Sequence, residues 1–463
     1  LSAAVEKHAT LTHPTFDISR HQPVRPFSFG GGPPSEERPL APAALSVARQ
    51  SNPASSIPGY DERLLLAMDL ADFTTHDPDT LHPRFLEYVH ERTTIAPADV
   101  HVAMQRAIAA LHVVWKRAGI SVKARPMKDV TEDTMRAIMN NGSPGEYRRL
   151  GAEGRLDERM VPTLVKSLVR YATASATIVV GGPRPKWVDY TDTPVLTFGK
   201  REPKAAKIKG GKRVAPVPRL IFNMSPVNYA LAAFLHSDIS HQLQDLDPTH
   251  GPGFGPGRGR HSKFSKILIS QYGPGFFSKY PMVMSDIEKW DANMPEILLE
   301  YAFDCLEEFV DSTGLARQDF VARRLMLDVA RRQLLTKLVE HPSGYFITLH
   351  GCMPSGSYYT SLLNTVGNDL LAISHLVHEV RSVRGSLPSP EEVADAITGR
   401  LLSYGDNQLI ASEMYELLGV HYVPETHARH LANFGMTLKL DETEVTNSIG
   451  RVRFCSRAMI MTP

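Results

Sequence analysis

The sequence predicts an α+β protein in which a mostly helical first half precedes an antiparallel sheet flanked by helices. Three observations carry that expectation. From about residue 61 to about 180 apolar residues recur at helical spacing, as in ADVHVAMQRAIAALHVVWKRAG, where Val102 to Ala110 mix small and large apolar side chains. After about residue 280 the texture changes to short strands alternating with helices, the pattern of a mixed unit built on an antiparallel sheet. Within that unit LLSYGDNQLI, residues 401 to 410, outlines a tight hairpin in which two apolar runs meet at Gly405, Asp406 and Asn407.

Residues 1–60 are rich in Pro, Ser and Gly and lack apolar periodicity, so they are expected to form a tail or an extended strap, with folded structure starting near YDERLLLAMDLADF. A loop-rich basic segment follows the helical region at 196–221. Between Lys200 and Arg213 it carries seven basic residues (Lys200, Arg201, Lys204, Lys207, Lys209, Lys212, Arg213) against Glu202, a local charge of +6 for which phosphates are the natural target. Arg219, followed by Leu220 and Ile221, is expected on a strand, as a specific phosphate contact would be. SPVNYALAAFLHSDISHQL is helical in pattern. HGPGFGPGRGRHSKFSK contains Gly-x-Gly spacings but joins no strand to a helix, so it supports neither a dinucleotide fold nor a P-loop and is expected to be a basic loop near RNA.

The chain has 463 residues, 42% hydrophobic and 22% charged, with a net charge of +1. That is enough for two or three subdomains of an ordinary globular protein, and charge has to be judged locally. Cys305, Cys352 and Cys455 are far apart, which argues against a disulfide framework or a cysteine zinc site. The His-x-x-His pairs His375/His378 and His427/His430 have no cysteine or acidic complement nearby in sequence and are expected to be surface or core histidines. No apolar run approaches the ~20 residues of a membrane span, and the N-terminus shows no signal-peptide pattern. The start at Leu1 is expected to mark a fragment or a processed product.

Three segments carry candidate chemistry. In YPMVMSDIEKWDANMP the apolar lead-in Met282 to Met284 forms a buried strand that delivers Asp286 at its end, with Asp291 five positions on. Asp286 is a candidate metal ligand, because a carboxylate ending a core strand is costly without a cation; a helix N-cap at Ser285 or Asp286 is the alternative. In HGCMPSGSYYTSLLNTVGNDLLA, Thr360, Asn364 and Asn368 share one helix face after a flexible Pro-Gly loop, a stripe suited to sugar hydroxyls. The hairpin presents Asp406 at its tip, although Gly-Asp-Asn is also ordinary turn chemistry.

The order of these segments resembles the motif series of viral RNA-dependent RNA polymerases in their positive-strand, picornavirus-like form. SDIEKWD is similar to motif A in its D-x4-D spacing, and PSGSYYTSLLN to motif B through Ser355, Gly356, Thr360 and Asn364. YGDN occupies motif C. ANFGMTLKLDE resembles motif D, VRFCSR motif E, KREPK with PRLI motif F, and NGSPGEY motif G. The resemblance spans about 140 to 460. It departs from the usual Gly-Asp-Asp at Gly-Asp-Asn-Gln, a form that resembles polymerases of nonsegmented negative-strand viruses and of polymycovirus-like fungal viruses; because the rest of the series resembles the positive-strand type, a polymycovirus-like relative is the expected lineage.

The resemblance implies a right-hand fold: fingers over 61–280 interleaved with palm, a palm over 281–450, and motif E with the start of a thumb at 451–463, most of the thumb being expected to lie outside this chain. It implies template-directed nucleotidyl transfer from NTPs with two divalent ions, Mg2+ or Mn2+, held by Asp286, Asp406 and the Ile287 carbonyl. Asn407 would support them and Lys439 would donate a proton to pyrophosphate. Asp291 and Asn364, placed by Ser355, Gly356 and Thr360, would read the ribose 2′-hydroxyl, while Lys200, Lys204 and Arg219 would steer the triphosphate. Cys455 and Arg457 would lie near the primer grip. Template and nascent RNA, NTPs and viral replication proteins are the expected partners. The expected setting is the host cytoplasm, in virions or replication complexes. Two alternatives are a catalytically silent polymerase-like RNA-binding scaffold, favoured by the missing motif C acid, and a reverse transcriptase, whose palm lacks the Ser-Gly-x3-Thr-x3-Asn pattern.

Overall fold

A computed structural model describes residues 16–19, 71–74, 78–189, 195–205, 207–214, 216–255, 259–273, 277–341 and 346–459. Its centre is a four-stranded antiparallel sheet in the order Leu401–Tyr404, Asn407–Ala411, Phe277–Ser285, Glu444–Ser448. Side-chain alternation assigns each face of this sheet to a different partner. Leu401, Ile410, Val283 and Val445 form one row across the register, and the first three join the helical core. Leu402, Leu409, Met282 and Ala411 point the other way, onto Phe264, Leu268 and Phe454. The two middle strands are therefore buried on both faces, which is why their sequences are continuous apolar runs.

The helix Thr360–Arg384 crosses the first face. Residues 362 to 377 are buried without a break, so it is a core helix rather than an amphipathic surface one. It stops at Gly385, which takes φ +73 as a left-handed cap, with Arg381 and Arg384 in the last turn. Helices Ala98–Arg117 and Glu296–Phe309 pack against it.

A second, five-stranded sheet runs in the order Phe16–Ser19, Phe346–His350, Thr336–Glu340, Val195–Lys200, Arg219–Asn223. Only the contact between Val195–Lys200 and Thr336–Glu340 is parallel. Leu81, Phe85, Leu220, Phe222 and Val339 form a separate core beneath it. The expected loop-rich basic segment is thus largely strand: two of its runs belong to this sheet, Pro203–Ala205 pairs with Ala71–Phe73, and Lys207–Lys209 folds back on Lys212–Val214 around Gly210 and Gly211. Its lysines hid this, because a solvated two-stranded ribbon needs no apolar face.

The expected extension 1–60 lies outside the described residues apart from Phe16–Ser19. Residues 256–258 of the glycine-rich loop also lie outside them. Among the described residues no helix is long and apolar enough to cross a membrane.

The helix Thr360–Arg384 supplies a direct test of where stability resides. Leu370→Ala, at a fully buried position, should cost about 2–5 kcal/mol in urea unfolding, and Val383→Ala, 69% exposed on the same helix, no more than about 0.5 kcal/mol.

Candidate active site

Tyr404 pairs with Asn407, which leaves Gly405 and Asp406 as a two-residue turn. Gly405 has φ +62 and Asp406 is not among the positive-φ residues, the pattern of a type II′ hairpin with glycine first. The sequence placed both Asp406 and Asn407 in the turn; Asn407 is instead the first residue of the returning strand. The long helix grips this turn at both ends. Gly405 N–H donates to Thr365 Oγ1 at 3.0 Å, and Asn368 Nδ2 donates to the Gly405 carbonyl at 2.9 Å. Buried Gln408 adds a third tie, with Nε2 donating to the Asn368 carbonyl and to Ser403 Oγ, both at 3.0 Å, and Oε1 accepting from Ser285 Oγ at 3.3 Å.

Ser285 lies opposite Gln408 as the last pair of the ladder, so Asp286, one residue past Ser285, and Asn407, one residue before Gln408, lie at the same end of the sheet. On its other side Asp286 neighbours Lys439: its carbonyl accepts from Lys439 N–H at 2.9 Å, and its carboxylate lies 3.5 Å from Lys439 Nζ. Asp286 is not a helix cap, because the short helix that follows, Trp290–Asn293, is preceded by Lys289 at φ +45. Ile287 bridges Leu438 as the member between two hydrogen-bonded neighbours, so its own carbonyl turns away from the Leu438 side and toward the side of Asp406.

Asp291 forms a separate, tightly bound group. Ser355 Oγ donates to Oδ2, Asn364 Nδ2 donates to Oδ1 at 3.0 Å, and Trp290 Nε1 fixes the amide by donating to Asn364 Oδ1 at 2.8 Å. Thr360 lines the space beside this group and also ties the loop. Its hydroxyl donates to the Pro354 carbonyl and accepts from Gly356 N–H, both at 3.2 Å, and so closes the loop that carries Ser355. Of the predicted polar stripe, Asn364 reaches Asp291 while Asn368 belongs to the hairpin clamp.

Two cavities meet here, sharing Gly356, Thr360, Asn364 and Asp406. One, about 440 Å³, is walled by Arg84, Tyr88, Arg219, Lys289 and Asp291. The other, about 570 Å³, runs past Asn140, Tyr229, His241, Tyr358 and Cys455. Arg219 points its charge at the first cavity and is held by Glu202, with Nε 2.7 Å from Oε1. Lys204 is outside that wall, donating to the Val217 carbonyl at 2.8 Å, and Lys200 is exposed at the strand end.

The acids carry the electrostatic cost of this arrangement. Burial pushes the Asp286 carboxyl up against the pull of Lys439, and it pushes Asp406 up against the pull of Arg219. For Asp291 burial again dominates; donation from Ser355 and Asn364 opposes it, and the Asp406 charge adds to it. A cation would reverse these shifts. The donors on offer are hard oxygens, the carboxylates of Asp286 and Asp406 and the Ile287 carbonyl, the set that suits Mg2+ or Mn2+. Among the described residues no three His, Cys, Asp or Glu side chains form a metal cage by themselves. Magnesium at phosphoryl-transfer sites is held by one or two carboxylates together with substrate phosphates, so the residues present fit such an ion.

Sequence reasoning missed Arg84, Lys289, Trp290, Thr365 and the clamp role of Gln408, because each acts through a neighbour that is distant in the chain. Of the histidine pairs His375, His427 and His430 are buried and His378 is partly exposed, 3.2 Å from Asp99, and the fold stacks His375 on His427 at 4.9 Å.

The family described as viral RNA-dependent RNA polymerase matches residues 218–462, a stretch that includes Arg219, Asp286, Asp291, the 355–364 segment, the hairpin and Lys439. No curated protein matches the chain.

Gly356 tests the loop. It holds φ +123, and a Cβ there would lie 2.3 Å from the Phe222 carbonyl oxygen. Gly356→Ala should push the Ser355 loop away from Asp291 and lower catalytic turnover by about 10²-fold while the unfolding midpoint stays within a few degrees, as read by a parallel activity and melting series.

Proposed function

Because the chain belongs to the viral RNA-dependent RNA polymerase family and so has RNA-directed RNA polymerase activity, we propose that Asp286 and Asp406 are its catalytic acids, working with two divalent ions in replication and transcription of an RNA virus genome. The observation that supports this reading is the strand ladder, which ends at the Ser285–Gln408 pair so that Asp286 and the Asp406 turn leave the sheet at the same end, with Asp406 at the junction of two cavities. When bound, the two ions supply Lewis acidity for the primer 3′-hydroxyl and charge neutralisation for pyrophosphate. Asp286, Asp406 and Ile287 would hold them.

The chain's own residues then have distinct tasks. Asp291 and Asn364 offer a fixed acceptor and a fixed amide to a ribose 2′-hydroxyl, their geometry set by Ser355 and Trp290. Arg219 binds triphosphate in the 440 Å³ cavity, and Lys200 and Lys204 contribute longer-range field. Lys439, beside Asp286, holds the proton that pyrophosphate takes up. Cys455 lines the 570 Å³ cavity, the side on which primer and template RNA would lie, with Arg457 two residues on. We assign 61–280 to fingers interleaved with palm, 281–450 to the palm and 451–463 to motif E and the start of the thumb. The Gly405-Asp406-Asn407-Gln408 sequence supports a polymycovirus-like placement.

Asp406→Ala should abolish primer extension on a homopolymer template while filter binding of RNA stays within about threefold, since the basic surface is untouched. Extension near the wild-type rate would remove Asp406 from the mechanism and favour the silent-scaffold reading.

Asn407 precedes Gln408 and Asp286 follows Ser285 at the end of the same ladder, so an acid at 407 would add a like charge near Asp286. Its amide Nδ2 is 3.4 Å from Asp406 Oδ1 and lowers the negative charge of the cluster by one. Magnesium should therefore bind less tightly than to a two-acid turn, and manganese should compensate. Titrating extension rate against each ion, Asn407→Asp should need several-fold less magnesium and lose its preference for manganese. Superimposable titrations would show that residue 407 does not tune the ions.

A further inference from the structure

Behind the hairpin lies a group of buried acids with no part in the chemistry described so far. Asp369, one turn beyond Thr365 on the long helix, is 1% exposed, and Asp247, just past the helix Pro226–Leu246, is equally buried. Thr249 stands between them, with Oγ1 2.8 Å from Asp247 Oδ1 and 3.1 Å from Asp369 Oδ2. A threonine hydroxyl has one proton and can donate to only one of these oxygens. The other contact needs a second proton, or two lone pairs face each other in a dry interior.

The remaining donors decide where that proton resides. Asp247 is saturated by true N–H groups, Trp115 Nε1 at 2.7 Å on Oδ2 and Thr249 N–H at 2.8 Å on Oδ1. Asp369 has one other donor, Ser403 Oγ at 2.6 Å on Oδ1, and Ser403 is free to donate because it receives Gln408 Nε2. Among the described residues Asp369 Oδ2 has only the Thr249 hydroxyl. The nearby cation does not settle the charge: Lys263 Nζ donates to three carbonyls, His250 at 2.6 Å, Gln244 at 2.9 Å and Leu243 at 3.4 Å, and to neither carboxylate. His250 is kept neutral by burial and by Lys263, and the buried Cys305 thiol adds no charge.

We propose that Asp369 is a neutral carboxylic acid, donating from Oδ2 to Thr249 and accepting from Ser403 at Oδ1, and that in this form it positions the strand that presents Asp406. Burial and the Asp247 charge both push its carboxyl well above the usual range, with Lys263 opposing them weakly. Ser403 is the geometric link: its carbonyl accepts from Gly251 N–H at 2.6 Å and its N–H donates to the Thr249 carbonyl at 3.0 Å, so the edge strand is fixed by Asp369 through its side chain and by the 249–251 segment through its backbone. Ionised Asp369 would leave Thr249 with two anions to serve and would loosen that strand. The positioning role rests on the proposed catalytic hairpin; the protonation state does not.

The experiment compares wild type, Asp369→Asn and Asp369→Ala. Asparagine reproduces the proposed polarity, an amide donor toward Thr249 and a carbonyl toward Ser403. Asp369→Asn should extend primers within about threefold of wild type, and Asp369→Ala should lose at least about tenfold. Unfolding measured across neutral and alkaline pH gives a second readout that needs no catalysis. Between the ordinary carboxylate pKa and the raised one the folded chain holds one more proton than the unfolded chain, so wild-type folding should weaken with rising pH by up to about tenfold per pH unit more than Asp369→Asn does. An infrared difference spectrum should show a protonated-carboxyl band that only wild type has. An Asp369→Asn protein that fails to fold, or extends no better than Asp369→Ala, overturns the proposal, as do parallel pH slopes or a missing band. A wild type that shows the band and slope but extends nothing would instead remove the catalytic reading of the hairpin.

Discussion

The Gly405 peptide is held at both ends by one helix, and the geometry of the site follows from that clamp. Along Thr360–Arg384 successive polar side chains each fix a different part of the centre: Thr360 closes the Ser355 loop, Asn364 holds Asp291, Thr365 and Asn368 hold the turn, and Asp369 holds Ser403. The rise of an α-helix, 1.5 Å per residue, thus becomes a ruler that spaces the Asp291 group from the acid-bearing turn. All but Thr360 are buried, so each bond lost would strand a polar group at about 1–3 kcal/mol, and the alternative positions of the loops are correspondingly unfavourable. The Asp406 charge also pushes the Asp291 carboxyl up, and rigid support of both groups resists that like-charge repulsion.

Charge at the site is arranged as exchangeable pairs. Arg219 faces Glu202, Lys439 faces Asp286 and Lys289 stands 3.8 Å from Glu87. Partly exposed pairs of this kind contribute little stability, about 0–1 kcal/mol, so these cations can change partners at small cost. Other cations near the centre are structural. Arg92 is buried and donates to the carbonyls of Tyr88, Ala292 and His350, tying the residue after Asp291 to the strand that leads into the Ser355 loop. Lys337, with burial lowering it to about 8, holds the Cys352 carbonyl at 3.0 Å. Arg92 precedes the 218–462 stretch, so the segment ahead of it also shapes the site.

The sequence by itself determined the candidate acids, the hairpin and the class of protein. Apolar runs ending in Asp286 and flanking Asp406 are visible because a strand buried on both faces must be apolar throughout, and the Asp291, Ser355 and Asn364 spacings survive as a pattern whatever the rest of the chain does. Tertiary structure alone decided which polar residues line the cavities and which bond the surrounding fold. Thr360 and Asn368 share a face with Asn364, yet they bond a loop and a turn, since a helical period gives direction but not the identity of what lies opposite. Lys200 and Lys204 match the basic pattern as well as Arg219 does, but of the three only Arg219 lines the cavity, because Lys204 turns to the Val217 carbonyl and Lys200 is exposed at the end of its strand. Gln408, Asp369 and Thr249 carry no local signal at all: their roles come from three segments meeting in a dry interior, where every donor must find an acceptor, and that count can be made only once the chain is folded.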